Sequence, residues 1–294
     1  MRGWILSTIA GGVIAGAAAL GPTSADAQNL GPTLSQIKER GAIVIGHRPA
    51  SRPFSYIGED EKPVGYTIDI CKHVVDAVEE KIGVDDLEVR YTQITPQTRI
   101  PLMANGTIDI GCGSMTNTLT RQQQVDYSYV TYITGTKILT KKGSGITGVE
   151  DLEGNSIALA QGTTNEKAVK AAIEEQNVEN VDILPVKDHD EGFLALRTDR
   201  VDAYSTDDVL LYGLIKKAKN PDDYQVVGDF LSYDPYAIEL PQNDSQFRLV
   251  VNRTIAELAR SGEIKEIFKR WFDPMGIPMS DRLETSFAVH TLPQ

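Results

Sequence analysis

One series of apolar segments occurs twice along this chain, in the same order. Residues 41–46 form a short apolar run bounded by glycines, which predicts a buried strand. Between 66 and 82, Ile70, Cys71, Val74, Val75, Val78 and Ile82 recur at three- and four-residue steps. That spacing is an amphipathic helix, stopped by Gly83. Strand-like alternation over 87–94, a short helix over 99–104 ended by Asn105-Gly106, and a strand over 107–112 follow. The second series runs strand 154–160, a helix opening at 162–165, strand 181–186, short helix 192–196 and strand 200–204. Such an order, met twice, predicts two similar α/β lobes, each a mostly parallel sheet flanked by helices. The length of 294 residues agrees with two units of ordinary size.

In sheets of this kind, ligands sit beyond the carboxyl ends of the strands. The segments that matter are therefore the loops after each strand, and here they are rich in Arg, Ser, Thr, His and Asp. Arg48, Arg99 and Arg121 fall in three of them. A guanidinium binds a carboxylate through two parallel hydrogen bonds, so three together suit a small anionic ligand, although any one alone reads equally as a solvated or structural arginine. Thr163 and Thr164 open a helix, where free backbone N–H groups favour an anion and where plain N-capping is also expected. Asp207 and Asp208 offer either a counter-charge for an ammonium group or a helix cap. His189, beside Asp188, reads as a hydrogen-bonding ligand contact or a surface histidine before a catalytic base.

Other classes of function are disfavoured. Lys and Arg total 29 against 41 Asp and Glu, a net charge of −12, which repels nucleic-acid phosphates. No nucleophile elbow, phosphate-binding loop, dinucleotide fingerprint or Cys/His cluster is present, so no cofactor, metal or catalytic residue is expected. At the N-terminus, Arg2 precedes an uncharged stretch from Trp4 to Leu20, and residues 24–27 (SADA) end in an A-x-A pattern. Residues 1–27 therefore read as a cleavable secretory signal peptide, rather than a membrane anchor, with cleavage after Ala27. No cysteine follows that would take a lipid, so the mature chain is expected to be exported, periplasmic and unanchored. Cys71 and Cys112 are the two cysteines. An oxidising compartment and their common position in the first series make a disulfide feasible; two buried free thiols are the alternative.

Segments 113–128 (GSMTNTLTRQQQVDYS), 161–164 (QGTT), 201–207 (VDAYSTD), 136–143 (TKILTKKG) and 261–272 (SGEIKEIFKRWF) resemble periplasmic amino-acid-binding proteins of ABC importers, the family 3 solute-binding proteins. Segments 46–56 (GHRPASRPFSY), 95–102 (TPQTRIPL) and 187–190 (KDHD) are similar to the glutamate/aspartate-binding subgroup. The resemblance implies the two-lobe periplasmic-binding fold of type II, with the ligand in the cleft between lobes. It implies a binding subunit that closes on glutamate or aspartate and hands it to a membrane permease, acting as a monomer without a cofactor. Arg121, with Thr116 and Thr164, would grip the α-carboxylate. Ser114 and Asp207 would take the α-ammonium, and Arg48, Arg99 and His189 the side-chain carboxylate. One departure is Pro96, where the subgroup has a serine; Thr95 or Thr98 would replace that contact. The implied layout is signal peptide 1–27, lobe 1 over 28–134, lobe 2 over 135–230 and a return to lobe 1 over 231–294, with crossing strands at 134–140 and 225–231. The family also resembles secreted cyclohexadienyl dehydratases, so an enzyme on the same fold is the rival reading, and a sensor module that hands its ligand state to a receptor is another.

Overall fold

The computed structural model describes residues 30–293 together with Met1 and Gly3. The signal peptide and its cleavage point after Ala27 lie outside the described residues, apart from those two.

The first part of the chain runs α1 (Gly31–Arg40), β1 (Ala42–His47), β2 (Ala50–Ser51), β3 (Ser55–Ile57), β4 (Pro63–Val64), α2 (Tyr66–Ile82), β5 (Glu88–Gln93), α3 (Arg99–Ala104), β6 (Ile110–Cys112) and β7 (Asp126–Thr134). The middle continues with β8 (Thr136–Lys141), β9 (Ser156–Ala160), α4 (Thr164–Glu175), β10 (Asp182–Val186), α5 (His189–Arg197), β11 (Ala203–Asp207), α6 (Asp208–Lys217) and β12 (Tyr224–Val227). It ends with β13 (Asp234–Leu240), α7 (Ser245–Ser261), α8 (Glu263–Phe272) and α9 (Asp281–His290).

Two five-stranded sheets follow one plan. The first has the order β5-β1-β6-β13-β7, the second β10-β9-β11-β8-β12. In each, the first three strands are parallel and the last two run antiparallel to their neighbours. The parallel trio is the part legible as a repeat; the antiparallel pair comes from the segments that cross between lobes. β7 ends in the first sheet at Thr134 and β8 begins in the second at Thr136, so the chain crosses at Gly135. It crosses back between Val227 and Asp234.

Two expected strands start three residues later than their apolar pattern suggested. The strand over 107–112 begins at Ile110, because Asp109 turns its carboxylate onto the Val44 backbone N–H (2.7 Å) and the Arg40 guanidinium. The strand over 200–204 is displaced to Ala203–Asp207, since Asp202 is held by Ser156 through its backbone and side chain. The short helix over 192–196 starts earlier, at His189, capped by the Asp188 carboxylate accepting from Glu191 N–H at 2.9 Å.

The core is divided unequally. On the first sheet, Phe54, Tyr66, Tyr132, Phe268 and Phe272 join in one aromatic cluster, with Phe268 and Phe272 stacked at 4.3 Å and Tyr132 and Phe272 at 4.9 Å. Helices α7, α8 and α9 close over it through Phe247, Ile264 and Phe287. The second sheet separates two smaller clusters, one around Leu139, Phe193 and Tyr204, the other around Ile138, Leu159 and Val169. Cys71 in α2 and Cys112 in β6 are joined by a disulfide, with Cα atoms 6.4 Å apart, inside the distance such a bridge requires.

Candidate functional site

A small, nearly filled cavity of about 10 Å³ lies between the carboxyl ends of the two parallel trios, lined by Arg48, Arg99, Ser114, Thr116, Thr164, His189 and Asp207 together with Thr163, Asn165 and Leu210. Seven of the eight residues expected at a ligand site thus meet in one space. Arg121 sits behind that lining: its Nη1 donates to the Thr116 carbonyl at 2.8 Å, and its Nη2 reaches across the cleft to the Gly162 carbonyl at 3.3 Å. Larger hollows exist elsewhere, such as the one between α2 and α7 lined by Glu80, Lys81 and Arg253, but they gather none of the residues expected at a ligand site.

Each polar group is placed by an element end. Arg48 follows β1 and is 1% exposed. Its guanidinium Nε and Nη2 have no hydrogen-bond partner among the described residues. Its aliphatic stem passes Gly113 so closely that a Cβ there would lie 2.7 Å from Cγ, which explains a glycine at the mouth of the loop after β6. Arg99 opens α3, 3% exposed; Nη1 donates to the Ser114 carbonyl at 3.1 Å and lies 2.9 Å from the Met115 sulfur, while Nε is unpartnered. The Ser114 hydroxyl is also buried without a partner among the described residues.

From the second lobe, Thr164 begins α4, whose cap is Thr163: its hydroxyl accepts from Glu166 N–H at 3.0 Å. The Thr164 hydroxyl lies 3.2 Å from that of Thr116 in the other lobe. His189 begins α5, with Nδ1 at 2.7 Å from the Tyr204 hydroxyl. Asp207 ends β11, and the Tyr236 hydroxyl of the opposite lobe donates to its Oδ2. Asp208 does not join it: its carboxylate accepts from the Thr134 hydroxyl at 2.6 Å and from Val209 N–H at 2.7 Å, acting as a local cap. Thr95 and Thr98, named for the missing serine contact, are not among the residues that line the cavity. Their hydroxyls lie 3.1 Å from each other in the turn that leads into α3.

Burial governs the charges. It lowers the Arg48 guanidinium to about 10 and the Arg99 guanidinium to about 9, the latter helped by repulsion from Arg121 and Arg48. Both remain cationic at neutral pH. Burial, then Arg48 and Arg99, hold His189 well below the usual histidine range, so the ring is neutral. Burial and the neighbouring Asp234 raise Asp207 well above the carboxylate range. A buried carboxyl held high beside unpaired guanidinium groups marks a site tuned for charged partners. The chemistry on offer is recognition of carboxylates by forked donors and of an ammonium by a carboxylate.

Tyr204, Tyr236 and Asn165 were not legible as site residues. Each lies in an ordinary strand or helix context, and Tyr236 meets Asp207 only because β13 returns to the first sheet from 29 residues away.

A two-lobed α/β protein with polar strand ends facing a closed cleft belongs to the type II periplasmic-binding class. The family described as "Bacterial extracellular solute-binding proteins, family 3" matches residues 43–274, and the chain is a member of it. It is 42% identical over 274 residues, 90% of each chain, to the L-glutamate/L-aspartate-binding protein of Pseudomonas aeruginosa. It is 40% identical over 265 residues, 87% of each chain, to the glutamate/aspartate import solute-binding protein of Salmonella typhimurium. Among solved structures it resembles the ancestral amino acid-binding protein AncCDT-1, a precursor of cyclohexadienyl dehydratase, at TM-score 0.70 and 27% identity, covering 82% of this chain and 100% of that one.

Proposed function

We propose that this chain is the solute-binding subunit of an amino-acid ABC importer, and that its ligand is an acidic amino acid, glutamate or aspartate. The observation that carries the reading is the meeting of Arg48 and Arg99, buried with unpartnered guanidinium nitrogens, with Asp207 in one small cavity. Arg48 and Arg99 suit a side-chain carboxylate, and Asp207 an ammonium. In this reading Arg121, Thr116 and Thr164 hold the α-carboxylate, Ser114 and Asp207 the ammonium, and Arg48, Arg99 and His189 the side chain. Lobe 1 comprises 28–134 and 231–294, and lobe 2 comprises 135–230. Closure about the two crossings traps the ligand, and the closed shape is what a membrane permease reads. The mature protein acts in the periplasm as a monomer, after removal of residues 1–27, without a cofactor.

An amide in place of the side-chain carboxylate leaves two buried guanidinium groups without an anion, a change typically costing about 3–5 kcal/mol before water enters. Calorimetry on the mature protein tests this: glutamate or aspartate binds at least tenfold more tightly than glutamine. Glutamine within tenfold of both would overturn the ligand class. The dehydratase rival, raised by the likeness to AncCDT-1, is tested in the same cell: prephenate turnover without amino-acid binding would replace the transport reading.

A further inference from the structure

Glu239 lies in β13 with its side chain on the sheet face covered by α3, 0% exposed, and neither carboxyl oxygen has a hydrogen-bond partner among the described residues. The surroundings are otherwise the apolar cluster of Ile94, Met103, Ile108, Met115 and Val125. Room for it is made by Gly111, its register partner in β6: a Cβ there would lie 2.9 Å from Glu239 Oε2 and 3.6 Å from the Met115 methyl. Met115 is the residue whose sulfur contacts Arg99 Nη1. The charged groups that act on Glu239 are Arg99 from α3 and Arg121 from the turn before β7. From β7 the titratable neighbour is Tyr127, whose hydroxyl is likewise buried and unpartnered. β6 presents only Gly111 at that register.

A carboxyl without partners in an apolar cluster costs stability, so its presence calls for a compensating role. We propose that Glu239 is a proton-linked positioning residue: it sets the charge that Arg99 and Arg121 present to the ligand, and it takes a proton from solvent onto a carboxyl oxygen when an acidic ligand binds.

The charge arithmetic supports this. Arg48, Arg99 and Arg121 supply three positive charges, and Asp207, held high by burial, supplies at most one negative charge. A dicarboxylic amino acid brings a net −1 and its amide brings none. An ionised Glu239 neutralises the third guanidinium, and the extra ligand carboxylate then competes with it for the same cations. By reciprocity, a ligand that disfavours the ionised form binds better to the protonated one. Glu239 and the arginines come from segments assigned to one lobe, so this coupling is present in the open and the closed cleft alike. Burial pushes the Glu239 carboxyl up to about 7, against the pull of Arg99 and Arg121, which places its titration where a ligand can shift it.

The inference rests on the acidic-ligand reading, and one experiment separates them. Glutamate is titrated into wild type and Glu239→Gln by calorimetry at pH 7.5 in two buffers of different ionisation enthalpy. A one-unit rise on binding corresponds to uptake of about half a proton by wild type beyond that of the variant. Contributions from Asp207 and His189 are common to both and cancel. Equal uptake in the two proteins overturns the role of Glu239 while leaving the ligand class standing; no binding of glutamate or aspartate overturns both. Should Glu239→Gln fail to fold, wild type decides. Its glutamate affinity falls about sixfold from pH 6.5 to 8.5 for the same one-unit shift, while its glutamine affinity stays within twofold. Parallel pH profiles for the two ligands overturn the proposal.

Discussion

The two lobes share a sheet plan and divide the work. The first sheet carries Arg48, Arg99 and Arg121, the disulfide, the large aromatic cluster and the buried Glu239. The second contributes neutral or acidic groups, Thr164, His189 and Asp207, on helix starts and a strand end, over two smaller clusters. In the proposed reading the same backbone serves as a cationic grip on one side and as a cap with a counter-charge on the other. Like charges gathered in one lobe repel each other before a ligand arrives: burial is the main cause that lowers Arg99, and Arg121 and Arg48 add to it. An anion between them relieves that repulsion, so ligand binding and lobe closure draw on the same electrostatic term.

The sharpest way to break this division is Arg121→Ala. With the shared α-carboxylate left unmatched, binding of every amino acid weakens by about 3–5 kcal/mol. Arg99→Ala instead changes which amino acids bind: the glutamate-to-glutamine affinity ratio falls about 10–100-fold, roughly 1.4–2.7 kcal/mol, while glutamine itself shifts far less. Near-native affinity in Arg121→Ala, or equal losses for both ligands in Arg99→Ala, removes the distinction between the two arginines.

Next in size is the disulfide, present in the first lobe only. It spans 41 residues, and opening a loop of that size costs about 2–4 kcal/mol in the chain-entropy picture. Cys71→Ala/Cys112→Ala therefore melts several degrees lower, and thiol titration of the denatured, unreduced wild type finds no free thiol. Two free thiols would refute the bridge.

A smaller effect comes from Glu239. Its carboxyl is at about 7 in the fold against 4.5 in the unfolded chain. Between these values the folded state holds a proton that the unfolded chain has released, so stability falls as pH rises from ~4.5 to ~7. Glu239→Gln removes that loss and is more stable than wild type at pH 8, on the order of 1–3 kcal/mol. Thermal melts of the ligand-free proteins at pH 5 and pH 8 check it; a constant difference between the two at both pH values contradicts the assignment. The smallest expected effect is Tyr236→Phe, which deletes the hydroxyl bridging the lobes at Asp207. Binding weakens by about 0.5–1.5 kcal/mol, measured by calorimetry, with selectivity between glutamate and aspartate unchanged.

Local pattern alone determined a great deal of this protein. Periodicity over Tyr66–Ile82 specified a helix whose buried face is Ile70, Cys71, Val74 and Val78, because a helix repeats every 3.6 residues whatever it packs on. Short apolar runs specified the parallel trios, and loops after strands pointed to Arg48, Arg99, Thr164, His189 and Asp207, since chain order dictates which strand ends face the cleft, while Ser114 and Thr116 were named by the family resemblance. What only the tertiary structure decided involves groups far apart in sequence. The strand starts at Ile110 and Ala203 depend on Asp109 and Asp202 finding backbone partners elsewhere. The donation from Tyr236 to Asp207, and the seat of Glu239 over Gly111 between Tyr127 and Arg99, exist because β13 crosses back into the first sheet beside β6 and β7. A carboxylate in a strand has no periodic signature of its own; whether it meets water, a cap or a pair of buried arginines is settled by which strand lies next to it.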